Sequence, residues 1–237
     1  MPNRIDRDTI DFYLKEVAKR YKKKTKGKLP AEITLVGGAA LILNYGFREM
    51  TTDIDAIIDA ASSMKDAIAE VSNDYSLPLG WLNDDFRNTA SFSNKLRNVS
   101  EYYKTYANCV EFRIVSGKYL LAMKLVSGRP YKHDRSDVVG IIKEERNRGN
   151  DYSYDEILSA IEELYGSQLE LPGETKAFLS AVLAEQDLET LEEQVQGREI
   201  HVRDTLKEFE QDYPKVASSS NILEIIDRLL AEENDKP

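Results

Sequence analysis

Two aspartates separated by one residue, Asp53 and Asp55, lie in the run TTDIDAII at residues 51–58. The segment DIDAII at residues 53–58 reads as a β-strand, in which side chains two residues apart share one face and lie about 6.5–7 Å apart. Both carboxylates then point the same way, while Ile54 and Ala56 point into the core. Neighbouring carboxylates repel each other, and burial increases the repulsion. The sequence therefore predicts a compensating positive charge at this pair.

A divalent metal ion is the predicted source of that charge. The chain has two histidines, His133 and His201, which are far apart in sequence, and one cysteine, Cys109. The ligands at the aspartates are hard oxygens, which favour Mg²⁺ or Mn²⁺. Carboxylates that hold two such ions about 3.5–4 Å apart recur in enzymes of in-line phosphoryl and nucleotidyl transfer.

A pair of glycines, Gly37 and Gly38, lies between the apolar segment ITLV (33–36) and the helical pattern AALILNYG. Glycine lets the backbone approach a ligand closely, and a helix N-terminus offers N–H groups to a phosphate. We expect this bend to bind phosphate opposite the aspartates. Each motif alone has a simpler explanation, since Gly-Gly after a strand is often structural and Asp-x-Asp is often a solvated strand edge.

In this order and spacing, the two motifs resemble the signature of the DNA polymerase beta-type nucleotidyltransferase superfamily. The segments LLAMKLVSGRPYKHDRSD (120–137) and GWLNDD (80–85) resemble its bacterial abortive-infection-toxin-like branch. The resemblance covers roughly residues 33–140 and leaves the C-terminal helical pattern unplaced. These enzymes often carry Gly-Ser where this chain has Gly-Gly, which removes a hydroxyl but keeps the backbone amides.

The resemblance implies a fold and a reaction. The expected fold is α/β (α+β), a small mixed sheet flanked by helices with an all-helical C-terminal part. The expected reaction moves NMP from an NTP such as ATP to a hydroxyl of RNA, protein or a small molecule. A role as a toxin–antitoxin effector, with an antitoxin-like protein partner, is also implied. The alternative is a relative that kept the fold and binds a nucleotide or a partner without catalysis.

The resemblance also assigns residues. Gly37 and Gly38 take the phosphate-loop position, and Asp53 and Asp55 take the metal-ligand positions. Val110-Glu111-Phe112 fits the pattern of the third carboxylate of the superfamily, so Glu111 is predicted as a catalytic base or metal ligand. An ordinary exposed glutamate on a strand gives the same pattern.

Lys124 interrupts the otherwise apolar helical run YLLAMKLV. Either the stem of Lys124 covers apolar surface, or its charge faces the triphosphate and stabilises the leaving pyrophosphate. The resemblance favours a charge that faces the triphosphate. Arg129 either clamps phosphates or is solvated. Asp134 and Asp137 share a helix face, where they accept hydrogen bonds from Lys124 or Arg129, hold a metal, or cap the helix. We therefore predict Lys124, Arg129, Asp134 and Asp137 as nucleotide-binding residues.

Charge divides the chain into two parts. Residues 1–150 carry 25 Lys and Arg against 20 Asp and Glu, whereas residues 151–237 carry 7 against 22. The first part reads as an α/β nucleotidyltransferase-like domain, and the second reads as a helical domain in which 187–212 is a polar segment. An acidic helical part can dock a basic partner, which is a third interpretation of the chain.

A basic run, KRYKKKTKGK at residues 19–28, ends the first predicted helix, residues 6–26. It is either a solvated helix end whose lysines complement the helix dipole or a contact for nucleic acid or another partner. The lone cysteine, the absence of a long apolar run and the acidic N-terminal helical pattern predict a cytoplasmic protein with no signal peptide and no membrane partner.

Overall fold

The computed structural model of the chain describes residues 5–218 and 220–234. Across those residues the chain forms seven strands and nine α-helices, which confirms the predicted α/β (α+β) class. The strands are β1 (Ile5–Asp6), β2 (Ala31–Leu35), β3 (Met50–Thr51), β4 (Ile54–Asp59), β5 (Leu82–Asn83), β6 (Ser100–Tyr106) and β7 (Val110–Val115). The helices are α1 (Arg7–Thr25), α2 (Gly37–Asn44), α3 (Ser63–Tyr75), α4 (Gly117–Ser127), α5 (Asp134–Asn147), α6 (Tyr154–Tyr165), α7 (Gly173–Ala184), α8 (Leu188–Asp212) and α9 (Ile222–Asn234).

Five strands form one mixed sheet in the order β5-β4-β2-β7-β6, and β1 and β3 form a separate antiparallel pair. The central strand β2 is antiparallel to β4 and parallel to β7. The helices α2 and α4 follow β2 and β7 within one or two residues. Because β2 and β7 run in the same direction, α2 and α4 begin at the same edge of the sheet.

One face of the sheet is apolar. Leu35 pairs with both Ala56 and Ile114 in the strand register, so the side chains of all three lie on this face. Its fully buried side chains are Ile33, Leu35, Ile54, Ala56 and Phe112. This face therefore forms part of the hydrophobic core.

The opposite face of the sheet is polar. Glu32 of β2 pairs with Asp59 on one side and with Glu111 on the other. Asp55 lies four residues before Asp59 on the same strand, and the period of two places it on this polar face as well. The sheet thus presents the carboxylates away from the core.

The chain contacts define two compact units that interleave along the sequence. Unit 1 is the chain up to Val126 together with Tyr152–Glu170, and unit 2 is Ser127–Asp151 together with the chain from Leu171. Unit 1 contains the whole sheet and α6. One crossing between the units, after Asp151, falls at the join expected near residue 150, whereas the division into domains 1–150 and 151–237 stays a prediction.

Helix α6 is held in unit 1 by hydrogen bonds to the loop before β6. The Ser93 hydroxyl donates to the Leu164 carbonyl at 2.6 Å, and the Tyr165 hydroxyl donates to the Ser91 carbonyl at 2.7 Å. The Tyr119 hydroxyl of α4 donates to Glu163 at 2.6 Å. These contacts explain why a segment far along the chain belongs to the sheet unit.

Unit 2 is helical in its described residues. Helices α5 and α8 pack together, and an apolar cluster of Val202, Leu206 and Ile226 joins α8 to α9. No helix within the described ranges combines the length and the apolar character needed to cross a bilayer.

Candidate active site

The glycine bend lies where β2 ends and α2 begins. Val36 is extended, with φ −132° and ψ −178°, and Gly37 then adopts φ +58°, a left-handed conformation that favours glycine. A Cβ atom at Gly37 would lie 3.3 Å from Oδ2 of Asp55. The bend and the Asp55 carboxylate are therefore in close contact.

Gly38 also needs to be glycine, for a different reason. A Cβ atom there would lie 2.9 Å from Oγ1 of Thr51 and 3.4 Å from Cζ of Arg48. Contacts under 3.0 Å do not occur for real Cβ atoms without a shift of the neighbour. The Thr51 hydroxyl therefore occupies the space that any side chain at position 38 requires, which gives the chain a physical reason for Gly-Gly.

Main-chain hydrogen bonds fix the two aspartates beside this bend. The Val36 N–H donates to the Asp55 carbonyl at 3.0 Å, and the Thr51 hydroxyl donates to the Asp53 carbonyl at 3.0 Å. Ile54, between the aspartates, donates its N–H to the Trp81 carbonyl at 2.6 Å. The backbone on both sides of each aspartate is thus held by neighbouring segments.

The burial pattern agrees with a shared orientation of the two carboxylates. Ile54 and Ala56 are fully buried, Asp55 is partly exposed and Asp53 is exposed. The observed strand β4 begins at Ile54, one residue later than expected, so Asp53 lies just before the strand. Its carboxylate accepts a long hydrogen bond of 3.4 Å from the Thr52 hydroxyl.

The strand register places Glu111 away from the glycine bend. Glu111 pairs with Glu32, whereas Asp55 is hydrogen bonded to Val36, which lies four residues after Glu32 and just beyond the end of β2. Four residues of strand span about 13 Å, which is too far for a shared metal ion. The Glu111 carboxylate instead accepts a hydrogen bond of 2.8 Å from Arg113. Alternation identifies the face of a strand and not the position along it, so the catalytic or metal-binding role of Glu111 stays a prediction.

The far end of the polar face holds a charge network that sequence reasoning did not find. Arg97 forms ion pairs with Glu32 and with Asp59, the latter at 2.6 Å. A cavity of about 290 Å³ lies beside Asp59, at the opposite end of β4 from Asp55. No spacing in the sequence signals this network, because its members come from three separate segments.

Lys124 lies in unit 1 on α4, the helix that begins at the same sheet edge as the glycine bend. The Asn44 side chain, at the end of α2, donates to the Val115 carbonyl at 3.0 Å and ties α2 to the strand that precedes α4. Lys124 is partly exposed, although its neighbours Met123 and Leu125 are buried. Its position is about 10 Å along the helix from Gly117.

Arg129, Asp134 and Asp137 belong to unit 2. The Arg129 backbone N–H and Nε both donate to Oδ2 of Asp134, at 3.1 and 2.9 Å, and Asp134 is fully buried. The alternative in which Asp134 accepts from Arg129 is therefore confirmed. Asp137 is 3% exposed, and its N–H donates to the His133 carbonyl at 2.8 Å. Their nucleotide-binding roles stay predictions.

The donor set of Asp53 and Asp55 fits Mg²⁺ or Mn²⁺. Mg²⁺ is commonly held by one or two carboxylates together with substrate phosphates and water. In the described part of the chain, no cluster of three or more His, Cys, Asp or Glu side chains is arranged to hold a metal. Two aspartates, one of which lies against the glycine bend, are compatible with the first arrangement, in which the nucleotide supplies the remaining ligands.

A mixed sheet with a glycine bend against an Asp-x-Asp strand is the arrangement of a nucleotidyltransferase. A family model described as a nucleotidyltransferase of unknown function (DUF6036) matches residues 13–144, which is more than half of the chain and includes every residue predicted above for the site. The chain belongs to this nucleotidyltransferase family. Searches of curated proteins and of solved structures found no match.

Proposed function

We propose that this chain is a Mg²⁺- or Mn²⁺-dependent nucleotidyltransferase that moves NMP from an NTP to an acceptor hydroxyl. The single observation that carries the proposal is the contact between the Gly37 backbone and the Asp55 carboxylate. This contact supports the proposal, because the reaction requires a phosphate-binding bend next to a metal-ligating carboxylate.

The reaction forms one P–O bond and breaks another. The acceptor hydroxyl oxygen bonds to the α-phosphorus, the bond from that phosphorus to the β-phosphate oxygen breaks, and pyrophosphate leaves while the hydroxyl proton passes to water. The bound metal ion supplies Lewis-acid polarisation and neutralises charge on the phosphates. The protein positions the reactants and the charges.

Each part of the site has a role in that positioning. Asp53 and Asp55 hold the divalent ion. The N-cap residue of α2 is Val36, which makes no side-chain capping hydrogen bond. The backbone N–H groups of the first turn therefore bind the phosphates without competition from a capping side chain. Lys124 supplies positive charge toward the leaving pyrophosphate.

A direct test is transfer of label from α-³²P-NTPs to total RNA or to lysate protein in the presence of Mg²⁺. We expect transfer by the wild type and a loss of about 100-fold or more in Asp53→Asn and Asp55→Asn. Asp59→Asn is the matched control, since Asp59 lies on the same strand and face but at the other end. Transfer by all variants alike overturns the proposal.

If no label is transferred, a measurement of NTP–Mg²⁺ binding distinguishes a non-catalytic nucleotide-binding protein from a protein that does not bind nucleotide. Saturable NTP–Mg²⁺ binding without transfer supports the non-catalytic relative. The toxin role rests on the resemblance alone, and its test is growth arrest on expression that Asp55→Asn abolishes.

A further inference from the structure

We propose that the exposed side of α1 is a docking surface for the phosphate backbone of a nucleic acid. The surface consists of Lys15, Lys22, Lys23, Lys26 and Lys28, and we call it the lysine surface. The inference does not depend on the transfer reaction, since it concerns binding at a helix and not chemistry at the aspartates.

Helix α1 has one side in the core and one side in solvent. Its buried residues are Ile10, Leu14, Val17, Ala18, Tyr21 and Thr25. Lys15 and Lys22 are seven residues apart, so they share one exposed side of the helix about 10 Å in length. Lys23 is exposed beside Lys22. Lys26 follows the helix as its C-cap residue, and Lys28 follows the turn at Gly27.

Three acidic side chains on α1 and α3 are already paired with other basic residues. Glu16 pairs with Lys19 and Arg20 at 2.7 Å, Asp74 pairs with Arg20 at 2.7 Å, and Glu70 pairs with Lys24 at 2.6 Å. Within residues 5–218 and 220–234, none of the five lysines of the lysine surface forms an ion pair. Their charges therefore add to a local positive potential.

The helix dipole does not account for this surface. Lysines stabilise a helix through the dipole only within its last turn. That explains Lys22 and Lys23, but Lys15 lies ten residues before the end at Thr25. The net charge of −10 does not cancel the local potential either, because ions screen distant charges beyond about 8–10 Å.

The chemistry of the surface favours nucleic acid over a membrane or a protein. A helix that binds a membrane inserts large apolar side chains from its exposed face. The exposed positions from Lys15 to Lys26 are all lysines, and the exposed apolar side chains Phe12 and Leu29 lie outside this stretch. Protein interfaces are depleted in lysine, particularly at their cores. Phosphodiester backbones instead bind lysine clusters through charge alone.

The test is fluorescence anisotropy with a labelled single-stranded 20-nucleotide RNA, in EDTA without NTP, between 50 and 200 mM salt. Each phosphate contact contributes about −0.7 to the slope of log K against log salt for single strands. We therefore expect the triple variant Lys22→Gln/Lys23→Gln/Lys26→Gln to bind more weakly and to reduce the slope by about 2.

The matched control is Lys176→Gln/Lys207→Gln/Lys215→Gln, three exposed lysines of unit 2 that give the same change in net charge. We expect its affinity and slope to equal those of the wild type. Equal losses in both variants, absence of salt-dependent RNA binding, or binding of phosphatidylserine vesicles in place of RNA would overturn the inference. Because the titration is run in EDTA without NTP, its result does not depend on the proposed transfer reaction.

Discussion

The Thr51 hydroxyl decides which residue position 38 can accept. A Cβ atom there comes within 2.9 Å of Oγ1 of Thr51, which itself donates to the Asp53 carbonyl. Any side chain at position 38 therefore pushes on the residue that holds Asp53 in place. The site and the bend are coupled through this one hydroxyl.

We predict that Gly38→Ala lowers both transfer activity and stability, because the new methyl group must displace Thr51. Overpacking of this kind costs about 1–3 kcal/mol. The free energy of unfolding from urea denaturation and the transfer rate measure the two effects.

Gly46→Ala is the control for this prediction, since a Cβ atom at Gly46 meets nothing within 4 Å and its φ is not positive. We expect its stability to change by less than about 0.5 kcal/mol. Equal stability of both variants would show that the space at position 38 is not restricted.

The sequence predicted the aspartate pair and the glycine bend because both depend on short local patterns. The first four residues of DIDAII alternate polar and apolar residues, and in the structure Ile54 and Ala56 are buried whereas Asp53 and Asp55 are not. Glu111 has the same local pattern, but the site depends on the register of three strands, which no local pattern specifies. Thr51 lies within the segment TTDIDAII, but only the packing of the folded chain shows that it contacts Gly38.

At the scale of elements, α6 is fixed at its N-terminus by a capping box. The Glu156 N–H donates to the Ser153 hydroxyl at 3.2 Å, and the Ser153 N–H donates to the Glu156 carboxylate at 2.8 Å. The Ser-x-x-Glu spacing is typical of such a box, and both of its hydrogen bonds are present in the structure.

We predict that Ser153→Ala lowers the free energy of unfolding by about 1 kcal/mol, because an N-terminal backbone donor loses its partner. Ser62 occupies the N-cap position of α3 but makes no capping hydrogen bond, so Ser62→Ala is a matched control with little expected effect. Chemical denaturation measures both, and equal losses would contradict the capping account.

Helix α8 has a buried side that the sequence does not show. Its buried positions recur at four- and three-residue steps, as in any packed helix. Two of these positions are glutamates, Glu192 and Glu199, which made residues 187–212 read as a polar segment. Glu192 pairs with Lys143 at 2.6 Å, and Glu199 accepts from the Ser136 hydroxyl and the Arg135 N–H at 2.5 and 2.9 Å. Partners on α5 therefore make the burial of these glutamates possible.

Burial raises the pKa of Glu199 from 4.5 to about 7, and the nearby charge of Asp137 adds to the increase. The folded state thus holds this proton more tightly than the unfolded state does. Stability from this group is complete below pH 4.5 and is lost as the pH rises to about 7, by at most about 3 kcal/mol.

We predict that Glu199→Gln removes this pH dependence, because glutamine does not titrate. The free energy of unfolding of both proteins is measured by urea denaturation from pH 4.5 to 8. As the pH rises, the value for the wild type should fall relative to the value for the variant. Parallel profiles would contradict the raised pKa.

At the scale of the whole molecule, the chain crosses between its two units three times. The sequence shows the change of charge near residue 150, but it does not show that α6 returns to the sheet unit. That return depends on hydrogen bonds between Ser93 and Leu164 and between Tyr165 and Ser91. Contacts between residues about 70 positions apart leave no local pattern to read.

We predict that Mg²⁺ and a non-hydrolysable NTP together raise the melting temperature, since a ligand that binds only the folded state stabilises it. At 100 times the Kd the gain is about 2.7 kcal/mol. Differential scanning calorimetry measures the melting temperature. In the comparison sample, EDTA replaces Mg²⁺, and the nucleotide should raise the melting temperature by less. An unchanged melting temperature at millimolar Mg²⁺ and nucleotide would contradict the proposed site.

The most direct measurement of the central claim is a Mn²⁺ titration, followed by the electron paramagnetic resonance signal of free Mn²⁺, with a non-hydrolysable NTP present. We expect wild type and Asp59→Asn to bind Mn²⁺ alike and Asp55→Asn to bind at least about tenfold more weakly. Equal Mn²⁺ affinity in all three proteins would contradict a metal site at the glycine bend.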